Sequence, residues 1–356
     1  MLSVCLMRPP IQHSRPALNN SDIKAVTAVL RSRYIASGRV TEEFEKRFAR
    51  FIKVNSAAAT NSGTVALHLA LLALKIKAND EVILPSLVCS AVLDSVLYVK
   101  AKPRLADINL YDFNLSLEDT QKKITPRTKA IILPHIFGKP AEIPGFLKLG
   151  IPMIENCCHS LGAQYKDRPV GGFGEVSIFS FYATKMITTG YGGMVSSKDK
   201  NLILRIKDLI NCDEREGYKL RFHYRISDMA AALGMNQLKR INVFISLRQA
   251  IAKFYRRNLS AESILLPQDP EKNHIYFRYV IRVDGNLERV IQRLSRQGIE
   301  AKRPIFRPLH HYLKLDKKDF PNTELVYNSA LSLPVYPDLK KSEAGFIVAS
   351  LKRALD

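Results

Sequence analysis

The sequence contains no apolar run that is long enough to cross a bilayer, which argues against a membrane-spanning protein. Residues 1–15 lack an apolar segment followed by a small-residue cleavage site, so we expect no signal peptide. Internal repeats and low-complexity segments are also missing. With 356 residues, 46% of them hydrophobic, the chain can bury a large core, and its length suggests two or three domains.

Cysteine is scarce, with five residues at positions 5, 89, 157, 158 and 212. An odd number of scattered cysteines does not form a disulfide framework, and without a CxxC pair we expect no metal site. Both features favour a protein of the reducing cytoplasm.

The net charge of +21 raises the hypothesis of nucleic-acid binding. However, Lys and Arg are spread along the chain and interleaved with Asp and Glu, without a basic tail or a basic–aromatic repeat. We therefore expect a solvated basic surface and no specific nucleic-acid partner. Two alternatives stay open: attraction of anionic substrates such as nucleotide sugars, and nonspecific, salt-sensitive binding to RNA or acidic lipid.

Helical and strand patterns alternate along most of the chain. Helices are predicted at residues 21–30, 41–51, 64–74 and 88–98. Strands are predicted at residues 81–84, 104–107, 130–133, 153–155, 175–180 and 193–197. This alternation predicts a mostly parallel sheet with helices on both faces, the α/β class.

The pattern changes after residue 227 to long helix, followed by a strand at 276–283 and a helix at 287–297. We therefore predict a large α/β domain over residues 1–245, including an N-terminal helical segment. A smaller α+β domain is predicted over residues 246–356.

A turn with the sequence NSGT (residues 61–64) precedes an apolar helix. Free backbone N–H groups and the positive end of the helix dipole suit a phosphate at such a turn. The alternative is an ordinary N-cap with a permissive glycine.

Three further polar clusters follow predicted strands, where open α/β sheets bind their ligands. Glu155 and Asn156 end one strand, Lys185 lies shortly after another, and residues 188–193 (TTGYGG) hold three glycines. A lysine in neutral surroundings has a lowered pKa, and its neutral amine can form a Schiff base. The alternatives are a solvated strand end, a surface lysine and a flexible turn.

The order and flanks of these clusters resemble the sugar aminotransferases of the DegT/DnrJ/EryC1/StrS family. The motifs that carry the resemblance are NSGTVALHLAL (61–71), IENCCHSLGA (154–163), FSFYATKMITTGYGG (179–193), FHYRISDMAAALGMNQL (222–238), PLH (308–310) and LSLPVYP (331–337). The resemblance implies a fold type I transferase that depends on pyridoxal 5'-phosphate (PLP), with active sites at a homodimer interface. It also implies an amino-acid donor, usually glutamate, and a nucleotide-linked keto sugar in polysaccharide or glycan synthesis.

The resemblance assigns roles to single residues. Lys185 matches the lysine that holds PLP as a Schiff base and moves a proton between the substrate and the cofactor. Dehydratase relatives carry His there, so Lys185 favours an aminotransferase. His159 matches a position that faces the 3-hydroxyl of the cofactor. The residues that match the phosphate-binding positions are Ser62, Gly63, Thr64 and Ser180.

Several positions depart from the family. Asn156 replaces an Asp that pairs with the protonated pyridine nitrogen, and a neutral amide favours an unprotonated nitrogen, so the ring becomes a poorer electron sink. Cys89 replaces an aromatic residue that stacks on the ring. His223 replaces an Asn that reaches the phosphate from the neighbouring subunit, and Tyr191 replaces a Glu of the glycine-rich motif.

Candidate substrate contacts are His135, Tyr191 and His310. His135 can equally be a satisfied histidine at a strand end, and His310 can equally lie in a surface loop. The departures leave three functions open. We favour a working aminotransferase from a divergent branch. The alternatives are another PLP-dependent reaction, and a degenerate homologue that binds PLP or a sugar nucleotide without turnover.

Overall fold

The computed structural model describes residues 9–213, 216–259, 264–271 and 273–355. The helices are α1 (Asn20–Ser32), α2 (Arg39–Ile52), α3 (Gly63–Ala73), α4 (Ser90–Tyr98), α5 (Leu117–Lys123), α6 (Ile143–Leu147), α7 (Lys200–Ile210), α8 (Asp228–Leu238), α9 (Ile241–Asn258), α10 (Leu287–Arg296), α11 (Leu309–Tyr312), α12 (Pro321–Ser329) and α13 (Lys341–Leu355). Short 3-10 turns lie at Ile136–Gly138 and Lys317–Asp319. No helix of these described residues is long and apolar enough to cross a membrane.

A seven-stranded sheet forms the centre of the molecule, in the order β1-β9-β8-β5-β4-β2-β3. The strands of the chain are β1 (Ser56–Thr60), β2 (Glu81–Pro85), β3 (Lys102–Ala106), β4 (Thr128–Pro134), β5 (Met153–Asn156), β6 (Gln164–Tyr165), β7 (Arg168–Pro169), β8 (Val176–Ser180), β9 (Gly193–Ser197), β10 (Ile264–Leu265), β11 (Tyr279–Val283) and β12 (Ala330–Leu333). In the central sheet only β9 runs antiparallel to its neighbours, β1 and β8. This mostly parallel, helix-covered sheet confirms the predicted α/β fold.

The central strands are short and apolar because both of their faces are covered by helices. Ile131, Ile132 and Ile154 are fully buried in β4 and β5. On one face, α2 packs its aromatic side chains against the chain around β8, with the rings of Phe48 and Phe179 4.8 Å apart. This packing fixes the end of β8, where the loop that carries Lys185 begins.

A second, three-stranded sheet, β10-β11-β12, is antiparallel. Its core includes Tyr255 from α9 and Leu351 from α13, and it also takes in Ile11, which pairs with Ile299. Helix α9 connects the two cores: Ile245 packs with the central sheet, and Tyr255 packs with the second. The predicted boundary near residue 245 falls inside this helix, and the domain limits stay a prediction.

One predicted strand starts later than the sequence indicates. We expected it over 276–283, but β11 begins at Tyr279. Tyr276 adopts a positive φ of 51°, and the backbone N–H of Arg278 donates to the carbonyl of Phe137 rather than to a strand. Residues 276–278 therefore leave the sheet and cross towards the end of β4.

Candidate functional site

A cavity of about 330 Å³ lies at the carboxyl ends of β4, β5 and β8, where ligands bind in open α/β sheets. Many of the residues singled out from the sequence line it, although they come from five separate segments of the chain. They are Ser62, Gly63, Thr64, Cys89, His135, Asn156, His159, Ser180, Lys185 and Tyr191. His223 and His310 do not line it.

One part of the cavity wall, which we call the glycine end, is formed by Ser62, Gly63 and Ser180, and Gly193 packs against the carbonyl of Ser62. The hydroxyl of Ser62 caps helix α3 by accepting the backbone N–H of Val65 at 3.2 Å. A Cβ atom on Gly63 would lie only 2.8 Å from the Cβ of Ser180, so glycine alone permits this approach. The first N–H groups of α3 and a serine hydroxyl thus meet at one point, an arrangement that suits a phosphate.

A second part of the cavity wall, which we call the lysine end, contains Lys185, Asn156 and His159, and Phe277 packs against Lys185 and His159. Lys185 is partly buried, and its Nζ lies 5.0 Å from the centroid of the Phe277 ring. This amine has no hydrogen-bond partner among the described residues. Burial lowers the pKa of the Lys185 ammonium, and the charge of Arg278 lowers it further, against an opposing effect of the Cys158 thiol. The lysine therefore supplies more neutral amine at a given pH than an exposed lysine does.

Asn156 ends β5 with its side chain almost fully buried. Its Oδ1 accepts the backbone N–H of Cys158 at 3.2 Å. An N–H donor requires an oxygen opposite it, so this bond fixes the orientation of the amide. The Nδ2 group of Asn156 is left as a neutral hydrogen-bond donor beside the cavity.

Glu155, the neighbour of Asn156, is a buried structural carboxylate. It accepts three backbone N–H groups of residues 171–174 at 2.7 to 2.8 Å, and it lies 3.1 Å from Nε2 of His135. The Nδ1 of His135 accepts the N–H of Ala141 at 3.0 Å, so the ring proton lies on Nε2. Both nitrogens of His135 are therefore engaged, which favours the satisfied histidine over the substrate contact.

His159 is held between aromatic rings at the lysine end. Its ring stacks on Phe277 with centroids 4.4 Å apart, and its Nδ1 accepts the N–H of Phe137 at 3.4 Å. Burial lowers the pKa of His159 well below its usual value, and the charges of Lys185 and Arg278 act in the same direction. The ring is thus neutral, and its Nε2–H can donate to an oxygen anion in the cavity.

Two predicted residues lie on the more open side. Cys89 is exposed directly before α4, where its small side chain contributes less contact area than an aromatic ring. Tyr191 is 71% exposed and its ring packs edge-to-face on Tyr182, with centroids 5.3 Å apart. Both tyrosine rings line the entrance and can contact a ligand that extends out of the cavity.

His310 lies away from the cavity in a fully buried position. Its Nδ1 is 2.6 Å from the hydroxyl of Ser86, its Nε2 is 3.0 Å from Glu324, and its ring stacks on Phe320. These partners hold α11 and α12 against β2. The predicted substrate contact by His310 is therefore not made within this chain, because the ring is enclosed and fully bonded.

His223 also lies outside the cavity, although it is close to the glycine end. Its carbonyl accepts Nδ2 of Asn61 at 3.5 Å, while its side chain is exposed and lines a separate pocket with Cys212 and Arg225. Within one chain His223 thus cannot reach the phosphate position of its own cavity.

Two residues that pack behind the lysine end, Phe277 and Arg278, were not predicted from the sequence. The guanidinium carbon of Arg278 lies 5.3 Å from the centroid of the Phe277 ring, the same ring that Lys185 approaches. A single arginine within the apolar run IYFRYVI (275–281) was the available signal.

The cavity fits the PLP that the resemblance implies. Its walls are mainly apolar, which suits a flat ring, and the glycine end offers a narrow cradle that a Cβ atom on Gly63 would fill. The unpartnered amine of Lys185 lines the same cavity, as a Schiff-base lysine requires.

Comparisons with known proteins agree with this fit. The sequence profile of the DegT/DnrJ/EryC1/StrS aminotransferase family matches residues 16–352. GDP-perosamine synthase of Caulobacter vibrioides is 32% identical over 98% of this chain and 99% of its own, and the Escherichia coli O157:H7 protein of the same name is 33% identical over 95% and 96%. The crystal structure of S. venezuelae DesV has a TM-score of 0.92 at 27% identity, covering 98% of this chain and 99% of its own.

Proposed function

The chain belongs to the DegT/DnrJ/EryC1/StrS aminotransferase family of PLP-dependent enzymes, and from this membership we propose that it moves an amino group from an amino acid to a nucleotide-linked keto sugar. The observation that carries the proposal is the unpartnered, partly buried amine of Lys185, which lines the same cavity as the glycine end. Glutamate is the amino donor to test first.

PLP supplies an aldehyde that an amine can bind and a ring that can accept electrons. The chain's own residues do the rest. The glycine end would hold the phosphate, and Nε2–H of His159 would donate to the ring oxygen. Nδ2 of Asn156 would donate to the ring nitrogen, and Nζ of Lys185 would move a proton at the substrate carbon that carries the amine.

A GDP-linked sugar is the first acceptor to test, because both relatives described above are named GDP-perosamine synthases. The sharpest assay runs in reverse. GDP-perosamine and 2-oxoglutarate are mixed with the PLP-loaded protein, and formation of glutamate is measured. Glutamate formation that requires Lys185 supports the proposal. If GDP-perosamine does not react but other nucleotide-linked amino sugars do, the acceptor is a different nucleotide-linked keto sugar.

The position of His223 supports a homodimer in which each cavity takes this residue from the partner. The side chain is exposed beside the glycine end but does not enter the cavity of its own chain. Mixing Lys185→Ala protein with His223→Ala protein tests this. If the two residues of one site come from different chains, mixed dimers regain one complete site, and activity returns. Activity that stays absent after subunit exchange contradicts the shared site.

Asn156 supports a second candidate, a homologue that binds PLP but transfers amines poorly. Its amide is fixed as a neutral donor, so it cannot hold a proton on the ring nitrogen through charge. If no amino acid changes the visible spectrum of the PLP-loaded protein, this candidate is favoured over the aminotransferase.

A cytoplasmic location and a role in polysaccharide synthesis stay predictions. The four described cysteines are all free thiols, as a reducing compartment favours. Fractionation of the source cells, with the protein detected by antibody, tests the location.

A further inference from the structure

Two adjacent histidines, His310 and His311, converge on one carboxylate outside the cavity. Both belong to the short helix α11, and Glu324 lies on the neighbouring helix α12. The Nε2 of His310 is 3.0 Å from Oε1 of Glu324, and the Nε2 of His311 contacts the same oxygen. The three side chains can offer their ligand atoms within 4.8 Å of one another. Imidazole nitrogens combined with a carboxylate oxygen are a donor set that zinc binds in proteins.

Aromatic neighbours hold both imidazole rings in place. His310 stacks on Phe320, with ring centroids 4.5 Å apart, and His311 packs edge-to-face on Tyr327 at 5.2 Å. The two histidine rings also contact each other, with centroids 4.4 Å apart. Packing therefore directs both Nε2 atoms towards Glu324, and a metal ion that binds there restricts little additional side-chain motion.

Ser86, directly after β2, orients the buried histidine. Its hydroxyl lies 2.6 Å from Nδ1 of His310 and also accepts the backbone N–H of that residue at 3.2 Å. A histidine that binds a metal commonly donates the N–H of its other ring nitrogen to a nearby oxygen, which leaves a lone pair on the binding nitrogen. Ser86 supplies that oxygen, so Nε2 of His310 can act as a ligand.

The surroundings of Glu324 give a metal ion access. The side chains of His311 and Glu324 are 9% and 18% exposed, which leaves a path for the ion and a position for a water ligand. A cation, Lys317, competes for the same carboxylate, with its Nζ 3.4 Å from Oε2 of Glu324. Because the Lys317 side chain is 65% exposed, it can turn into solvent when a metal ion arrives.

We propose that His310, His311 and Glu324 form a binding site for a zinc ion, with water in the remaining position. Zinc binds such ligands at about 2.0–2.2 Å, which places tetrahedral ligand atoms about 3.3 Å apart, so small side-chain movements suffice. Magnesium and calcium prefer oxygen ligands, and the two imidazoles therefore favour zinc. The site contains no cysteine, so the missing CxxC pair does not bear on it.

The zinc ion acts on the structure around the cavity rather than on the reacting atoms, because its three ligands do not line the cavity. The site adjoins the chain that leads into the cavity: the carbonyl of Ser86 accepts the N–H of Leu309 at 2.8 Å, and Cys89, three residues later, lines the cavity. The ion ties α11 and α12 together next to this segment. The inference does not depend on the proposed amine transfer.

The test is a zinc titration of the full-length, untagged, PLP-loaded protein, with a chelating dye as competitor. We expect one zinc ion per chain. His311→Gln and Glu324→Gln should each weaken binding by roughly 100-fold, because one of three ligands is lost, and Ser86→Ala by about 10-fold, because the ring is less well oriented. The matched control is Asp319→Asn, which removes an exposed carboxylate from the turn before α12 and should bind zinc like the wild type.

Lys317→Met provides a result that misfolding cannot imitate. Because Lys317 competes for Glu324, its removal should tighten zinc binding about 2- to 5-fold. Zinc should also raise the midpoint of thermal unfolding of the wild type but not of His311→Gln, since the ion binds the folded state.

A wild type that binds no zinc overturns the proposal. Zinc binding that His311→Gln and Glu324→Gln leave unchanged also overturns it, since the ion would then be held elsewhere. If these two variants do not fold, Lys317→Met decides, and an affinity equal to that of the wild type contradicts the site.

Discussion

The glycine end of the cavity is formed by backbone segments that lie too close together for side chains, whereas the lysine end is formed by side chains from separate elements. At the glycine end, Gly193 pairs with Thr60 on one side and Ser180 on the other, and a Cβ atom on Gly193 would overlap the carbonyl of Ser62. At the lysine end, Asn156 and His159 reach the cavity from the end of β5 and the turn after it, and Lys185 reaches it from the loop after β8.

The difference shows which part of the site can change without loss of cofactor binding. Backbone geometry at the glycine end tolerates almost no substitution, because each added atom meets a neighbouring strand or helix. Side chains at the lysine end can be substituted without a change in backbone conformation, and such substitutions alter the charge of the site. We therefore expect the glycine end to govern cofactor affinity and the lysine end to govern chemistry.

Lys185→Ala should cause the largest effect, and it should separate the two ends. We expect amine transfer to fall by about 10³-fold or more, because both the covalent attachment and the proton transfer are lost. PLP should still bind through the glycine end, although without a Schiff-base band. Steady-state turnover and the visible spectrum measure this. The control Lys200→Ala, at an exposed position that begins α7, should keep both. A retained band in Lys185→Ala would assign the attachment to another lysine.

Gly63→Ala should disrupt the glycine end specifically. Its Cβ atom would lie 2.8 Å from the Cβ of Ser180, so the turn must shift at a cost of roughly 1–3 kcal/mol. We expect the affinity for PLP to fall by about 10- to 100-fold. Titration of the apoprotein with PLP measures it. Gly345→Ala, in α13 with the nearest atom at 3.9 Å, should leave the affinity unchanged. Equal affinities for both variants would show that close backbone approach is not what holds the phosphate.

Asn156→Asp should change chemistry but not affinity. A carboxylate can still accept the N–H of Cys158, and it can also favour a proton on the ring nitrogen, so the ring becomes a better electron sink. We expect the glutamate half-reaction to accelerate by about 10-fold, as followed by stopped-flow absorbance. Turnover and spectrum that match those of the wild type would contradict our account of the neutral amide.

Arg278→Met should produce the smallest change, a shift in pH dependence. The charge of Arg278 helps to lower the pKa of Lys185, and its removal stabilises the ammonium form, so that pKa should rise. Less neutral amine is then available at a given pH. The rate at which the apoprotein captures PLP, measured against pH, should therefore shift to higher pH in Arg278→Met. A profile that stays in place would show that burial alone sets the reactivity of Lys185.

The glycine end was predictable from the sequence because its signals are local. The turn at 61–64 and the stretch from Ser180 to Gly193 are each continuous in the chain, and their order is that of the family. Even so, β1 was not predicted as a strand, since its alanine-rich sequence SAAAT has weak strand preference. Pairing with β9 rather than propensity makes it a strand.

The lysine end was harder to predict because its contacts join distant segments. Nη1 of Arg278 contacts the ring of His13, which comes from the N-terminal segment. No local sequence pattern predicts that contact. For His310, a local motif was present but led to a wrong prediction of a substrate contact. It lies in a family motif, but Ser86 and Glu324, which enclose it, are remote in sequence. Tertiary packing decided both cases.

The visible spectrum of the PLP-loaded protein, before and after addition of glutamate, tests the central claim most directly. We predict a Schiff-base band that depends on Lys185 and that glutamate converts to the band of the aminated cofactor. A protein that forms no such band, or that keeps it unchanged with every amino acid offered, would contradict an aminotransferase centred on Lys185.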